Sequence, residues 1–349
     1  MTLHHDRRRS ARPASRGPRG AFTLVELVVV IVILAILASL TLSGLNGARQ
    51  RSKIDKTRST IRKLHEIVIP LHESYVEKRY SPIALSGDKK TDVAKKQLCW
   101  KRMLMTLDMP DQWADVGVSG YEQVIPATGY TPSAASLRYL SIKAAGPSPA
   151  YESAECLAMI VIRGGFAPDA VEQFRSDEIG DFDKDGASEF LDGWGRPISF
   201  IRWPAGADWS VIQQSQSSVT AAIAAGTLPT GSKPPPDPMD PLGTTTDANG
   251  YDTALVPLIY SGGVDSSLDD PPPGGLTGGE YGLVTSSVAA PNGWLPGTNP
   301  ATPFPGLANA VGTTRRSAVG QWAGAVDAAD PRAARAARDN ITNHDLVTK

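Results

Sequence analysis

The sequence predicts an α+β protein: a long N-terminal helix packed on a small antiparallel sheet, followed by a loop-rich, glycine- and proline-rich C-terminal region. Three observations carry this reading. Residues 22–42 are apolar almost without a break and contain neither glycine nor proline. Residues 54–75 place apolar groups at three- and four-residue steps, the period of one helix face. Further on, short apolar runs with strand-like alternation give way to a segment, 226–312, in which 30 of 87 residues are glycine or proline. That proportion is too high for a conventional core of helices and strands.

The elements follow in chain order. Residues 1–21 form a basic leader: Arg7, Arg8, Arg9, Arg12, Arg16 and Arg19 stand against one acid, Asp6, a charge of +5. The whole chain is −1, so residues 22–349 carry −6. Basic flanks of a spanning segment stay on the cytoplasmic side, and topology accounts for the arginines without nucleic-acid binding. Residues 22–43 are the spanning segment, since about 20 apolar residues at about 1.5 Å each cross the hydrocarbon core. Residues 44–80 continue the helix in amphipathic form. Ile54, Thr57, Ile61, Leu64, Val68, Leu71 and Tyr75 make the stripe, while Arg51, Lys53, Lys56, Arg58, Arg62, Lys63 and Glu66 fall mostly away from it. Gly44 and Gly47 weaken the join by about 1 kcal/mol each relative to alanine. Pro70 removes a backbone donor and predicts a kink.

Residues 81–225 read as an α+β head. Thr91–Leu107 has helical composition, and Glu155–Arg163 is a buried helix or strand. Ile198–Trp203 and Leu255–Tyr260 are strand candidates. Residues 226–316 form the acidic Gly/Pro-rich region that holds the second of these strands. Residues 317–349 are a tail, read from Val326 as a short Ala/Arg-rich helix followed by a loose end.

The most specific motif is Ala21-Phe22-Thr23-Leu24-Val25-Glu26-Leu27 at the head of the spanning segment. A secretory signal has a shorter apolar core, about 7–15 residues, ending at a small-x-small site. A plain membrane anchor has no use for Glu26, because an ionised carboxylate in lipid costs a few kcal/mol or more and needs a partner or a task. The block resembles the start of prepilins, the precursors of type IV pilins and of the pseudopilins of type II secretion. The resemblance covers roughly residues 20–80. It implies cleavage by a prepilin peptidase before Phe22, with methylation of the new amino terminus. Leaders of that family usually end in glycine. Here Ala21 holds that place and Gly20 lies one residue back; cutting after Ala21 keeps Glu26 fifth in the mature chain.

The resemblance further implies a single-pass inner-membrane protein with a cytoplasmic N-terminus and a periplasmic head, or a subunit of a cell-surface filament. Its partners are the lipid bilayer, the peptidase, an inner-membrane assembly platform and further copies of itself. Phe22, Thr23, Leu24 and Glu26 act in assembly, Glu26 neutralising the amino terminus of a neighbouring subunit. The alternative is a membrane-tethered binding module or enzyme that uses the same export route, with 226–312 as its binding surface.

One acidic stretch has metal-ligand spacing. Asp181, Asp183 and Asp185 at positions 1, 3 and 5, Gly186 at 6 and Asp192 at 12 reproduce an EF-hand-type calcium loop, with Ala187 offering a backbone carbonyl and Glu189 a further ligand. Asp192 replaces the usual glutamate, Ser188 stands at a normally apolar position, and Gly193 and Pro197 follow too closely for a second EF-hand helix. The reading is therefore a calcium loop, not an EF-hand domain, set against a solvated acidic turn.

Asp192-Gly193-Trp194-Gly195-Arg196-Pro197 follows, an Asp-x-Trp-Gly-x-Pro block that resembles the major pseudopilins of type II secretion. Trp194 is expected to fill the gap between helix and sheet, with Gly195 and Pro197 shaping the strand entry. Asp265, Ser267, Asp269 and Asp270 resemble, in order and composition, the late calcium loop of those proteins, though their spacing alone fits a solvated acidic turn slightly better. Cys99 and Cys156 are either one bridge or two separate thiols. His65-Glu66 and His72 lack zincin spacing, since the histidines are seven apart with Pro70 between them. No Gly-x-Ser-x-Gly elbow, phosphate-binding loop, Cys-x-x-Cys or dinucleotide fingerprint occurs, and the chain is read as a structural protein rather than an enzyme.

Overall fold

The computed structural model describes residues 23–78, 101, 104–117, 132–204, 210, 212, 216–233, 237–239, 256–263, 279–280, 283–284 and 340–347. The chain divides into two compact units, Met1–Gln50 and Arg51–Lys349. Helix α1 (Leu24–Glu77) contains Gly44, Gly47 and Pro70; its residues to Gln50 belong to the first unit and those from Arg51 to the second. Its N-terminal part buries almost nothing: Leu27, Ile31, Leu34 and Leu37 each keep more than half of their surface exposed. Two hydroxyls in this stretch turn back on the helix, Ser39 Oγ donating to the Ile36 carbonyl (2.8 Å) and Thr41 Oγ1 to that of Ala38 (2.9 Å). Both hydroxyl donors are thereby satisfied within the helix.

In the second unit the stripe on α1 is the floor of the core. Thr57, Ile61, Leu64, Val68, Leu71 and Tyr75 are buried, and Ile54 packs at the edge of the same cluster. Against them lie Leu157, Ile160 and Val161 of α3 (Glu152–Arg163), Phe190, Phe200 and Ile259 from the strands, and Ile198 just before one of them. The amphipathic period thus does what a surface of this kind requires: it gives α1 a face that another layer can cover. The 175–178 turn is tied to the flank of α1. Buried Glu178 accepts from Thr60 Oγ1 (2.6 Å) and Lys63 Nζ (2.8 Å), and Lys56 pairs with Asp177 at 2.7 Å.

The core sheet is antiparallel, with β4 (Leu258–Ser261) between β3 (Ser199–Ile201) and β7 (Ile341–Thr342). Phe200 lies opposite Ile259, and Ser261 opposite Ile341. Two smaller ladders pair β1 (Ile179–Gly180) with β2 (Glu189–Phe190), and β5 (Gly279–Glu280) with β6 (Leu283–Val284). Both predicted strands exist, each shorter than its apolar run.

The tail is corrected. Its last described residues are no loose end: Ile341–Thr342 pair with β4, and helix α5 (Asn343–Val347) follows directly. Asn343 substitutes for a strand partner, accepting from the Ile259 N–H (2.8 Å) and donating to the Pro257 carbonyl (2.9 Å).

The predicted Glu155–Arg163 element is α3, begun three residues earlier. Ser153 at its start clamps β3 reciprocally, accepting from Phe200 N–H (2.8 Å) and donating to Phe200 O (3.0 Å). Of the predicted Thr91–Leu107 helix, residues 101 and 104–107 are helical and the remainder lies outside the described residues. Two further helices, α2 (Ala134–Lys143) and α4 (Gln216–Ala224), carried no sequence expectation.

Candidate functional site

Two places gather the residues singled out above. The first is the head of α1. The Thr23 backbone N–H and Thr23 Oγ1 both donate to Glu26 Oε2, at 2.8 and 2.9 Å, and the Glu26 N–H donates back to Thr23 Oγ1 at 3.2 Å. This is a capping box. The first amides of a helix have no partner within the helix, and here the i, i+3 pair satisfies two of them reciprocally. The acid that was costly in an apolar segment is therefore also what terminates that segment cleanly. Leu24 is the first helical residue. Gly20, Ala21 and Phe22 lie outside the described residues.

The second is the acidic loop between β1 and β2. It turns through two left-handed residues, Lys184 (φ 64°) and Gly186 (φ 96°), the glycine standing where the calcium-loop spacing requires one. The acids divide by what they bond. Both oxygens of Asp181 accept loop amides, from Asp185 and Gly186, each at 3.1 Å. Asp185 accepts from the Ala187 N–H at 2.8 Å and from the Ser148 N–H. Asp181, Asp183 and Asp185 still bring one oxygen each within 4.8 Å of one another.

A second convergence was not foreseen. Glu155 of α3 joins Asp183 and Glu189, again with one oxygen from each acid inside 4.8 Å. Glu155 and Glu189 are fully buried. One oxygen of each glutamate is occupied: Trp113 Nε1–H donates to Glu155 Oε2, and Phe182 N–H to Glu189 Oε2 (2.8 Å). The second oxygen of each glutamate, Glu155 Oε1 and Glu189 Oε1, and one oxygen of the aspartate, Asp183 Oδ1, are buried with no hydrogen-bond partner among the described residues.

Burial pushes the Glu155 carboxyl up to about 8; the Trp113 bond opposes this, and the charges of Asp185, Glu189 and Asp183 add to it. Burial likewise lifts Glu189 to about 7, against its bond from Phe182 and with the neighbouring aspartates adding to the rise. Asp183 is raised by burial and by Asp185. All three shifts have one origin: a low-polarity pocket in which burial and the neighbouring acids oppose ionisation of each carboxyl.

Asp192 does not join either group. Its Oδ1 accepts from the Trp194 and Arg196 amides (2.7 and 3.0 Å) and its Oδ2 from Ser261 Oγ of β4 (2.6 Å). Position 12 of the loop is thus spent on closing the next turn and fastening it to the sheet. Ala187 is buried beside Cys156, Trp113 and Tyr139.

In the following block, Trp194 is half-buried against the main core, Gly195 takes φ 80°, and Pro197 bridges to Leu191. The residue that sequence reasoning passed over is Gly193. Its N–H donates to Thr57 Oγ1 (2.9 Å), and a Cβ there would stand 2.2 Å from the Lys53 carbonyl oxygen. Asp265, Ser267, Asp269, Asp270 and Cys99 lie outside the described residues. Cys156 is buried on α3.

Residues 16–42 match the family model described as the prokaryotic N-terminal methylation motif, the prepilin-type signature. No curated protein and no solved structure matches the chain. The chain therefore carries a prepilin-type N-terminus on a helix long and apolar enough to cross a membrane.

Proposed function

We propose that this chain is a type IV pilin-like structural subunit, cut between Ala21 and Phe22, methylated on Phe22 and assembled through its apolar helix into a filament of the type II secretion or pilus kind. The observation that carries the reading is the methylation motif over 16–42, placed at the head of α1 with its acid at Glu26. The exposed apolar stretch of α1 supports it. A surface of Leu, Val and Ile that large needs lipid or like helices around it, and a filament subunit meets both in succession.

Glu26 has two roles in this scheme. In the membrane it is held by Thr23 of its own chain. In the filament the Phe22 amine of a neighbour becomes a stronger partner, because a charged pair offsets the cost of a carboxylate in a medium of low polarity better than neutral donors do. Exchange from the first to the second sets the axial register of one subunit on the next. The role is mechanical, not catalytic.

The test is direct. N-terminal sequencing and intact mass of the mature protein should give N-methylated Phe22. A start at Ala21 moves the cut by one residue, and a start beyond Leu42 overturns the reading. Glu26→Ala should still be processed but should not enter filaments beside wild-type subunits; normal incorporation overturns the pairing role. Cysteines introduced between Phe22 and Leu42 should crosslink copy to copy, whereas a merely tethered module stays monomeric.

A further inference from the structure

We propose that Glu155, Asp183 and Glu189 together hold one calcium ion, which fastens helix α3 to the β1–β2 loop. The sequence spacing pointed to Asp181 through Asp192 alone. The structure assigns the inner ligands differently and brings in a residue 28 positions before Asp183.

The oxygens already in use decide which acids can take an ion. Asp181 spends both of its oxygens on loop amides, and Asp185 spends one on a loop amide and the other on the Ser148 N–H. Asp192 spends both on the next turn and on Ser261. Glu155, Asp183 and Glu189 each retain one buried oxygen with no donor among the described residues, and these three acids form one of the two groups whose oxygens converge within 4.8 Å. A buried acceptor with no donor loses its hydration without compensation, and a buried charge costs several kcal/mol more. Three such acceptors in one spot leave a deficit that a cation removes at once. Among the described residues, no ion pair involves any of the three.

The chemistry of the donors selects the ion. All three are hard carboxylate oxygens, with no histidine or cysteine in the group, which excludes the N/S environments that zinc and copper favour. Calcium accepts about six to eight oxygens in irregular arrangements, whereas magnesium demands near-octahedral geometry and retains its waters. Glu155 also borders a cavity with Trp113, Met159, Gly186, Ala187 and Ser188, so the site has an approach along the loop. Asp181 and Asp185 add negative charge at its more exposed side and draw a cation in.

The experiment uses the full chain in detergent, stripped with EDTA and titrated with calcium, and in parallel with terbium excited through tryptophan. Trp113 donates to Glu155, so terbium bound at this site should be sensitised, and calcium should displace it. Wild type should melt higher in calcium, since an ion that binds only the native state stabilises it. Glu155→Gln and Glu189→Gln should each raise the calcium needed by about tenfold or more. Both should melt in EDTA at or above wild type, because each replaces a buried carboxyl in a crowded acidic site with a neutral amide of the same shape. Lower melting in EDTA would show that these carboxylates serve the fold itself and would overturn the proposal. An unchanged calcium response in Glu155→Gln, or its loss in Asp269→Asn/Asp270→Asn instead, would place the ion elsewhere. No terbium or calcium response in wild type overturns the proposal outright.

Discussion

Gly193 rests directly on the backbone of α1, so close that a methyl group in place of its hydrogen would stand 2.2 Å from the carbonyl oxygen of Lys53. The same glycine donates its N–H to Thr57 Oγ1 one turn further along. The turn leading into β3 is therefore seated on the helix backbone itself, not on side chains that could move aside. Gly193→Ala should force the two apart and cost about 1–3 kcal/mol or more, as overpacking does. Gly195 offers the comparison. It has open space around its Cβ position but a φ of 80°, so Gly195→Ala should cost only the left-handed penalty, about 1–2 kcal/mol. Chemical denaturation of the two variants checks the order; equal losses would mean that the Lys53 contact has room to relax.

Arg202 should be the most sensitive charged residue of the head. It is fully buried, donates to the Met109 carbonyl (2.6 Å) and to Asp115 (3.0 Å), pairs with Asp111 at 3.4 Å and lies 4.3 Å from the Trp203 ring. Arg202→Ala strands two buried carboxylates and should destabilise by about 3–5 kcal/mol. The double variant Asp111→Asn/Asp115→Asn on that background should recover part of the loss, which a thermodynamic cycle reads directly.

His344 supplies a pH dependence. It is buried, bonded to Ser210 and close to the Val256 and Pro257 carbonyls, and burial holds its pKa down to about 4. In the unfolded chain it titrates near 6.5. Between these values the unfolded state binds the proton and the folded state does not, so stability is intact above pH 6.5 and falls as pH drops toward 4. In His344→Gln this loss is absent. The stability gap between wild type and variant should therefore shrink by about 2 kcal/mol from pH 7 to pH 5. A gap that widens on acidification would mean the folded histidine is protonated.

The C-terminal strand should be indispensable to the sheet. Ending the chain after residue 339 removes β7 and the Asn343 bonds to Ile259 and Pro257, and turns β4 from a central into an edge strand. Loss of protease resistance in the head is the expected result. A shortened chain as resistant as wild type would show that two strands suffice.

Some of this is legible in the sequence alone. The N-terminal block, the spanning length of its apolar run and the stripe from Ile54 to Tyr75 are written in local chemistry and in the 3.6-residue period. The apolar run from Leu24 and the stripe persist in the structure because a helix needs only its own residues to show which face is apolar. The left-handed glycine of the acidic loop was legible for the same reason, since the turn demands it locally. Other features depended on residues far apart in the chain. Glu155 reads from sequence as an ordinary acid in the first turn of α3, where the helix dipole favours it; only the packing of α3 on the β1–β2 loop turns it toward Asp183 and Glu189. Asp192 satisfies the loop spacing, yet the nearby turn and Ser261 claim its oxygens first. Ile341–Thr342 are too short to carry a strand period and become a strand because β4 has an open edge to fill. Sequence determined which segments carry a face and a charge; the tertiary structure decided which carboxylate oxygens and which backbone edges remained without a partner, because that depends on every bond already made around them.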